Sequence, residues 1–370
     1  RQLRHAVMMM QAALADDSDD QAANALRVVM INDVMPACLA HSDESMTAVI
    51  RTAFDLRLGD LEVWAGVEQI FETLGQRRQE EMSSSLPELL KSLGKEMPAW
   101  LIDKLRAMYR LPEGWDVAHM ASQGARKLLA KTPVRDAATL RLFQEILTRT
   151  AQPELRTRDR RGAVPRQFTA VRAVQVMNAA NWQTYLHRRD EIAQECRGLN
   201  ARYDDAHWQD NLNGHIMSMF IKDAMAGGAA SEPLLQEVNE VWLLHGTSHA
   251  AAEGITSEDF DMTRANPMGL FGAGVYFGES VSKADEYVEG RMEDGQELFP
   301  LLLCRVSLGY VYYCDERRPD RARLVDRCVR QEWHSVIGDR KKTSGTFREF
   351  IVYDNLQAFP AYIIYYARHF

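Results

Sequence analysis

Leu298-Phe-Pro-Leu-Leu-Leu-Cys-Arg-Val-Ser-Leu-Gly309, followed at once by Tyr310-Val-Tyr-Tyr-Cys314, is the stretch that decides the fold. A short, nearly continuous apolar run closed by glycine reads as a buried strand, and the aromatic run after it reads as another. The same texture recurs outward in EVWLLHG (240–246), GVYF (274–277), REFIVYD (348–354) and PAYIIYYA (360–367). Few long helical patterns separate these later runs. A largely antiparallel sheet with peripheral helices therefore fits better than a βαβ array, and residues 167–370 are expected to form an α+β domain. Upstream, AVRAVQV (170–176) alternates as a strand, and a helix containing Trp182, Tyr185 and Ile192 follows it.

Further towards the start, residues 1–152 read as helical. Leu61, Trp64, Val67, Phe71 and Leu74 recur at helical steps. Ser85 and Glu88 make a capping-box pair with Pro87 early in the next helix. Asp136 is placed to cap a helix carrying Leu140, Phe143 and Leu147. Between the halves, residues 153–166 read as a basic linker. TRDRRGAVPR contains Gly162 and Pro165, and its arginines outnumber its one acid, Asp159. A solvated charge run is the expected state, since no aromatic residues are interleaved to stack bases.

A chain of 370 residues favours more than one domain, and its net charge of −8 argues against a broad basic footprint for nucleic acid. Its 5 cysteines (Cys38, Cys196, Cys304, Cys314 and Cys328) are scattered, which fits reduced thiols in an intracellular protein, nuclear or cytoplasmic. No stretch is apolar for long enough to read as a membrane helix. The first residue is arginine, so the sequence reads as an excerpt of a longer chain from which a targeting signal could have been removed.

Four segments carry chemistry. His245-Gly246-Thr247 ends a strand, where an imidazole can enter a cleft beside open backbone groups; taken alone, His245 reads first as a satisfied structural histidine. His249 lies close enough to suggest a metal pair, but no third ligand stands at a suitable spacing, so no metal is expected. Gly269-Leu-Phe-Gly-Ala-Gly-Val-Tyr-Phe-Gly278 nearly spells a dinucleotide fingerprint, yet it precedes a strand instead of following one. Its glycines read instead as letting backbone approach a flat ligand, with Tyr276 as an aromatic wall. Ser280 to Tyr287 (SVSKADEY) resembles a capped helix with Tyr287 about two turns in. Glu349 interrupts an apolar strand and shares a face with Ile351 and Tyr353, so it is either an edge residue or a functional acid.

Taken together, HGT, GLFGAGVYF with SKADEY, and REFIVYD resemble, in order and spacing, the catalytic domain of the poly(ADP-ribose) polymerase family. FGAGVYF, LLLCRVSLG, HSVIG and YDNLQAFPAYIIYY look most like its tankyrase branch, and VQVMNAANWQTYLHRRDEI resembles the family's opening helix. The resemblance spans about Phe168 to Phe370. It implies NAD⁺ as donor substrate, release of nicotinamide, and protein acceptors. It also implies that Glu349, His245 and Tyr276 are catalytic, and that His245, Gly246, Thr247, Tyr276 and Tyr287 bind NAD⁺. The arginine-modifying cousins carry Glu-x-Glu, whereas here Phe347 stands before Glu349. Two departures are visible. Ala284 occupies the place of a serine that holds the nicotinamide amide, a loss of about 1 kcal/mol. VEGRMEDGQELFP lacks the cysteines and histidine of the tankyrase zinc insertion. The rival expectation is a weak or inactive module that binds NAD⁺ or ADP-ribose and serves as a scaffold; single and chain-forming transfer are not separated.

Overall fold

The computed structural model describes residues 99–123, 128–198, 217–226 and 232–370. The stripe from Leu61 to Leu74 and the Ser85–Glu88 pair lie outside the described residues. The chain divides into two compact units, and the described part of the first carries the helices α1 (Ala99–Tyr109) and α2 (Val117–Gln123). The second unit comprises Tyr109–Trp115 and Leu129–Phe370.

The sheet of that second unit begins earlier than expected. Strand β1 (Leu129–Pro133) lies inside the region read as helical and pairs antiparallel with β2 (Gln167–Asn178). LAKTP is short, carries a lysine and ends in proline, so nothing in its local pattern separates an edge strand from a loop. Helix α3 (Ala137–Thr150) follows, and the Asp136 carboxylate caps it by accepting from the Ala138 and Thr139 amides. Phe143 and Leu147 of the expected stripe are buried, joined by Ile146, whereas Leu140 is only half-buried.

After β2 come α4 (Ala179–Gly198), α5 (Met217–Ala226), β3 (Glu240–Gly246) and α6 (His249–Ser257). Then follow β4 (Val275–Gly278), the short α7 (Val281–Ala284), β5 (Arg291–Glu293), β6 (Gln296–Ser307) and β7 (Val311–Cys314). Helix α8 (Arg321–Val329), β8 (Ser335–Asp339), α9 (Arg340–Ser344), β9 (Arg348–Val352) and β10 (Ala358–His369) complete the order.

The main sheet runs β1-β2-β10-β6-β3-β4-β9-β8-β7, with β5 paired to β6. Every pairing is antiparallel except β7 with β8, so the fold is α+β with a mixed, mainly antiparallel sheet. Strands β6 and β10 are central and buried nearly throughout, which is why their sequences read as continuous apolar runs. Pro360 cannot donate to the ladder, and the β10–β6 register shifts beside it, between Pro360 and Tyr362.

Alternation sorts side chains into separate cores. Leu302, Cys304 and Val306 of β6 pack with Val241, Leu243, Phe277, Phe350 and Ile363. A smaller cluster gathers Phe271, Leu324, Val336 and Ile351, with Tyr276 and Tyr353 packed against it. Phe350 enters the first core, so the next residue, Ile351, turns to the second, and Glu349 shares that second face.

Candidate active site

Strand order does the first work. Strand β4 lies between β3 and β9, with Leu244 opposite Gly278, Gly278 opposite Glu349, and Tyr276 opposite Ile351. His245, Tyr276 and Glu349, distant in sequence, thereby stand on adjacent strands. His245 Nδ1 lies 2.9 Å from the Tyr276 carbonyl oxygen. Its ring meets Phe260 edge-on and lies near Phe277, and burial pushes its pKa down, towards the neutral form.

Tyr276 is clamped by its own glycine-rich loop. Its hydroxyl donates to the Gly272 carbonyl at 2.8 Å and accepts from the Phe271 amide at 3.0 Å. Gly272 has φ +92°, a backbone that L side chains rarely adopt, so the turn that offers this carbonyl favours glycine. Burial, with the Glu349 charge adding to it, pushes the Tyr276 pKa up, and the phenol stays protonated.

Gly246 is required by packing. A Cβ there would stand 1.8 Å from the Ala284 carbonyl oxygen, so the end of β3 and the backbone of α7 touch directly. Thr247 stands part-exposed in the turn before α6, and Ser248 caps that helix through the Ala251 amide. His249 is occupied elsewhere, with its Nε2 2.9 Å from the Leu298 carbonyl oxygen. VEGRMEDGQELFP forms the β5–β6 hairpin, turning at Asp294 and Gly295 with positive φ at both. Among the described residues no group of His, Cys, Asp and Glu gathers to hold a metal ion, and no helix is long and apolar enough to cross a membrane.

The segment Ser280–Tyr287 departs from expectation. Helix α7 is only four residues long, continued by a 3₁₀ turn over Asp285–Tyr287, and Ser280 makes no side-chain cap. Its hydroxyl donates instead to the Thr150 carbonyl, at 2.6 Å. Tyr287 is 48% exposed, a flat ring open to solvent.

Lys283 is the residue that sequence reasoning missed. Its Nζ lies 3.1 Å from Glu349 Oε1, 3.0 Å from Glu286 Oε2 and 3.3 Å from Asp159 Oδ2. It also donates to the Tyr287 hydroxyl at 2.6 Å and sits 4.7 Å over that ring. Burial opposes the ammonium, but Glu349, then Tyr287 and Glu286, outweigh that and hold its pKa above the usual lysine range. A signal was present: Lys283 precedes Tyr287 by one helical turn, so their side chains share a face.

The linker is also not the free charge run that its composition suggests. Arg160 is buried, with Nη1 2.7 Å from Asp285 Oδ2 and Nη2 donating to the Ser282 carbonyl at 3.0 Å. A buried, unpaired aspartate would be costly, so Asp285 draws Arg160 in from the linker and Arg368 from β10.

Chemically, the site offers a carboxylate beside a lysine, a neutral imidazole, a protonated phenol and an exposed aromatic ring. Residues 190–368 match the family model described as the poly(ADP-ribose) polymerase catalytic domain. At the level of that family, the match implies NAD⁺-dependent ADP-ribosyltransferase activity, with NAD⁺ as the substrate.

Proposed function

We propose that this chain is an active transferase of the histidine–tyrosine–glutamate class, closest to the tankyrase branch, that moves ADP-ribose from NAD⁺ to protein acceptors, itself or others, inside the cell. The observation that carries the reading is Glu349, a largely buried carboxylate 3.1 Å from the Lys283 ammonium on the strand next to Tyr276.

The reaction breaks the bond between nicotinamide and the ribose carbon, and its electron pair leaves with nicotinamide. Positive charge builds on the ribose as it does in glycoside cleavage. In this reading Gly246 backbone groups grip the nicotinamide amide, Tyr287 stacks on its ring, and Tyr276 closes the other side. His245 bonds a ribose hydroxyl of the adenosine half, with Thr247 beside it. Glu349 bonds a hydroxyl of the nicotinamide ribose and stabilises the developing cation. It then takes the proton from the acceptor hydroxyl, whose oxygen bonds to the ribose carbon.

A scaffold that binds NAD⁺ or ADP-ribose without efficient transfer is the second reading, and Ala284 favours it. Ser282 does not readily replace the missing hydroxyl, because its Oγ is buried and accepts from the Gln152 amide at 2.9 Å. Incubation with labelled NAD⁺, followed by size separation of the protein, tests both readings. A ladder shows chain formation, a single labelled band shows single transfer, and an unlabelled protein that still binds NAD⁺ supports the scaffold.

A further inference from the structure

The segment carrying Lys283 and Tyr287 is too short to hold its own shape. A four-residue helix with one 3₁₀ turn is well below the length at which helices persist alone. Tyr287 lies at its far end, half in solvent. Something else must fix that ring.

The end of α3 and the linker that follows it do so. Thr150 accepts from the Ser280 hydroxyl through its carbonyl and from the Val281 amide through Oγ1, at 2.6 and 3.1 Å. The Gln152 amide donates to Ser282 Oγ. Thr157 Oγ1 donates to Glu286 Oε2 at 2.7 Å, and Arg160 holds Asp285 and the Ser282 carbonyl. Finally, Asp159 Oδ2 accepts from the Tyr287 hydroxyl at 2.6 Å and from Lys283 Nζ at 3.3 Å. The Tyr287 hydroxyl is thus held from both sides, accepting from Lys283 and donating to Asp159.

We propose that residues 150–160 form a strap across this segment, and that Asp159 is a positioning residue that fixes the Tyr287 ring at the angle nicotinamide needs. The proposal rests on the assignment of Tyr287 as the stacking ring. Asp159 touches no substrate. It acts through Tyr287, and it limits how much of the Lys283 charge reaches Glu349. The segment read from sequence as a basic, solvated linker becomes a determinant of affinity for the nicotinamide end of the donor.

Calorimetric titration of the full chain with nicotinamide, and with NAD⁺, tests this without depending on turnover. Asp159→Ala is expected to weaken nicotinamide binding about 2- to 10-fold, the size of one net hydrogen bond. Asp159→Asn, which keeps an acceptor for the Tyr287 hydroxyl, is expected to restore most of that loss. In a Tyr287→Phe background, Asp159→Ala is expected to have a much smaller effect, because the bond to the Tyr287 hydroxyl is already gone and only the Lys283 contact remains to be lost. Equal losses from Asp159→Ala in both backgrounds, no loss at all, or Asn as weak as Ala would each overturn the strap. Should Asp159→Ala not fold, the Asn variant and the Tyr287→Phe cycle built on it keep the proposal open to refutation. A wild-type chain that binds neither nicotinamide nor NAD⁺ overturns the underlying function instead.

Discussion

Two buried cation–carboxylate pairs, one within the sheet and one between it and helix α7, serve opposite ends. Arg305 Nε on β6 lies 2.7 Å from Glu240 Oε1 on β3, and both side chains are almost fully buried. Lys283 Nζ lies 3.1 Å from Glu349 Oε1, and the Glu349 side chain keeps 12% of its surface. The first pair is saturated. Arg305 also donates to the Glu232 and Pro233 carbonyls, and Glu240 accepts from the Tyr185 hydroxyl and the Leu235 amide. Burial opposes the Glu240 charge, but Arg305 more than offsets it and holds the carboxyl below its usual range. The second pair stands beside a half-exposed tyrosine and shares its lysine among several acids. A pair with every polar atom matched has nothing left to offer a ligand; in the second pair the lysine is fully engaged as well, and what remains for a ligand lies on the Glu349 carboxylate, which keeps part of its surface.

That contrast can be broken most sharply at Arg305. Arg305→Met leaves the buried Glu240 with Arg189 alone, 3.5 Å from its Oε2, as a charge partner and is expected to cost about 3–5 kcal/mol of stability. Chemical denaturation would register it as a large fall in midpoint, and an unchanged midpoint would mean that Glu240 finds another partner. Glu349→Gln should behave in the reverse way. Lys283 keeps Glu286 and Asp159, so the fold should survive while transfer from labelled NAD⁺ falls by about 10²–10³-fold, the usual worth of one preorganised transition-state contact. Undiminished labelling would remove Glu349 from the mechanism.

Ala284→Ser is expected to act more gently. Restoring the hydroxyl should tighten nicotinamide-like inhibitors by about 1 kcal/mol in a competition assay. No gain would show that another group already fills that role.

The smallest effect is one of pH. Burial, with Asp354 nearby adding to it, pushes the Asp259 pKa up to about 6, while burial pushes His245 down. A carboxyl with a raised folded pKa destabilises the fold when charged. As pH falls through about 6, the folded state takes up a proton before the unfolded state does, and stability rises. His245 works the other way: the unfolded chain protonates first, so stability falls as pH drops below about 6.5. Asp259→Asn should therefore raise the melting temperature at pH 7 and steepen its decline on acidification to pH 5. A parallel decline in both proteins would contradict the Asp259 assignment.

The strands were legible where burial on both faces leaves an apolar run, as in β3, β6 and β10. Strand β9 was legible with its faces in order, because strict alternation put Glu349 with Ile351 and not with Phe350. Helix α3 was legible from Asp136 and the stripe it begins. Strand β1 was not, because edge pairing asks little of its side chains. Lys283 hid in a segment whose tyrosine drew attention first. The strap was illegible for a physical reason: Arg160 and Asp285 are far apart in sequence, and nothing in TRDRRG shows that a buried carboxylate awaits it.

Asp285 has one more consequence, for the order in which the chain assembles. It is gripped by Arg160 from before β2 and by Arg368 and the Tyr366 hydroxyl from the final strand. Contacts of such wide sequence separation form late. During synthesis this corner stays unfinished until β10 has left the ribosome, so a nascent chain can carry every residue from His245 to Glu349 and still lack a fixed Lys283–Tyr287 segment.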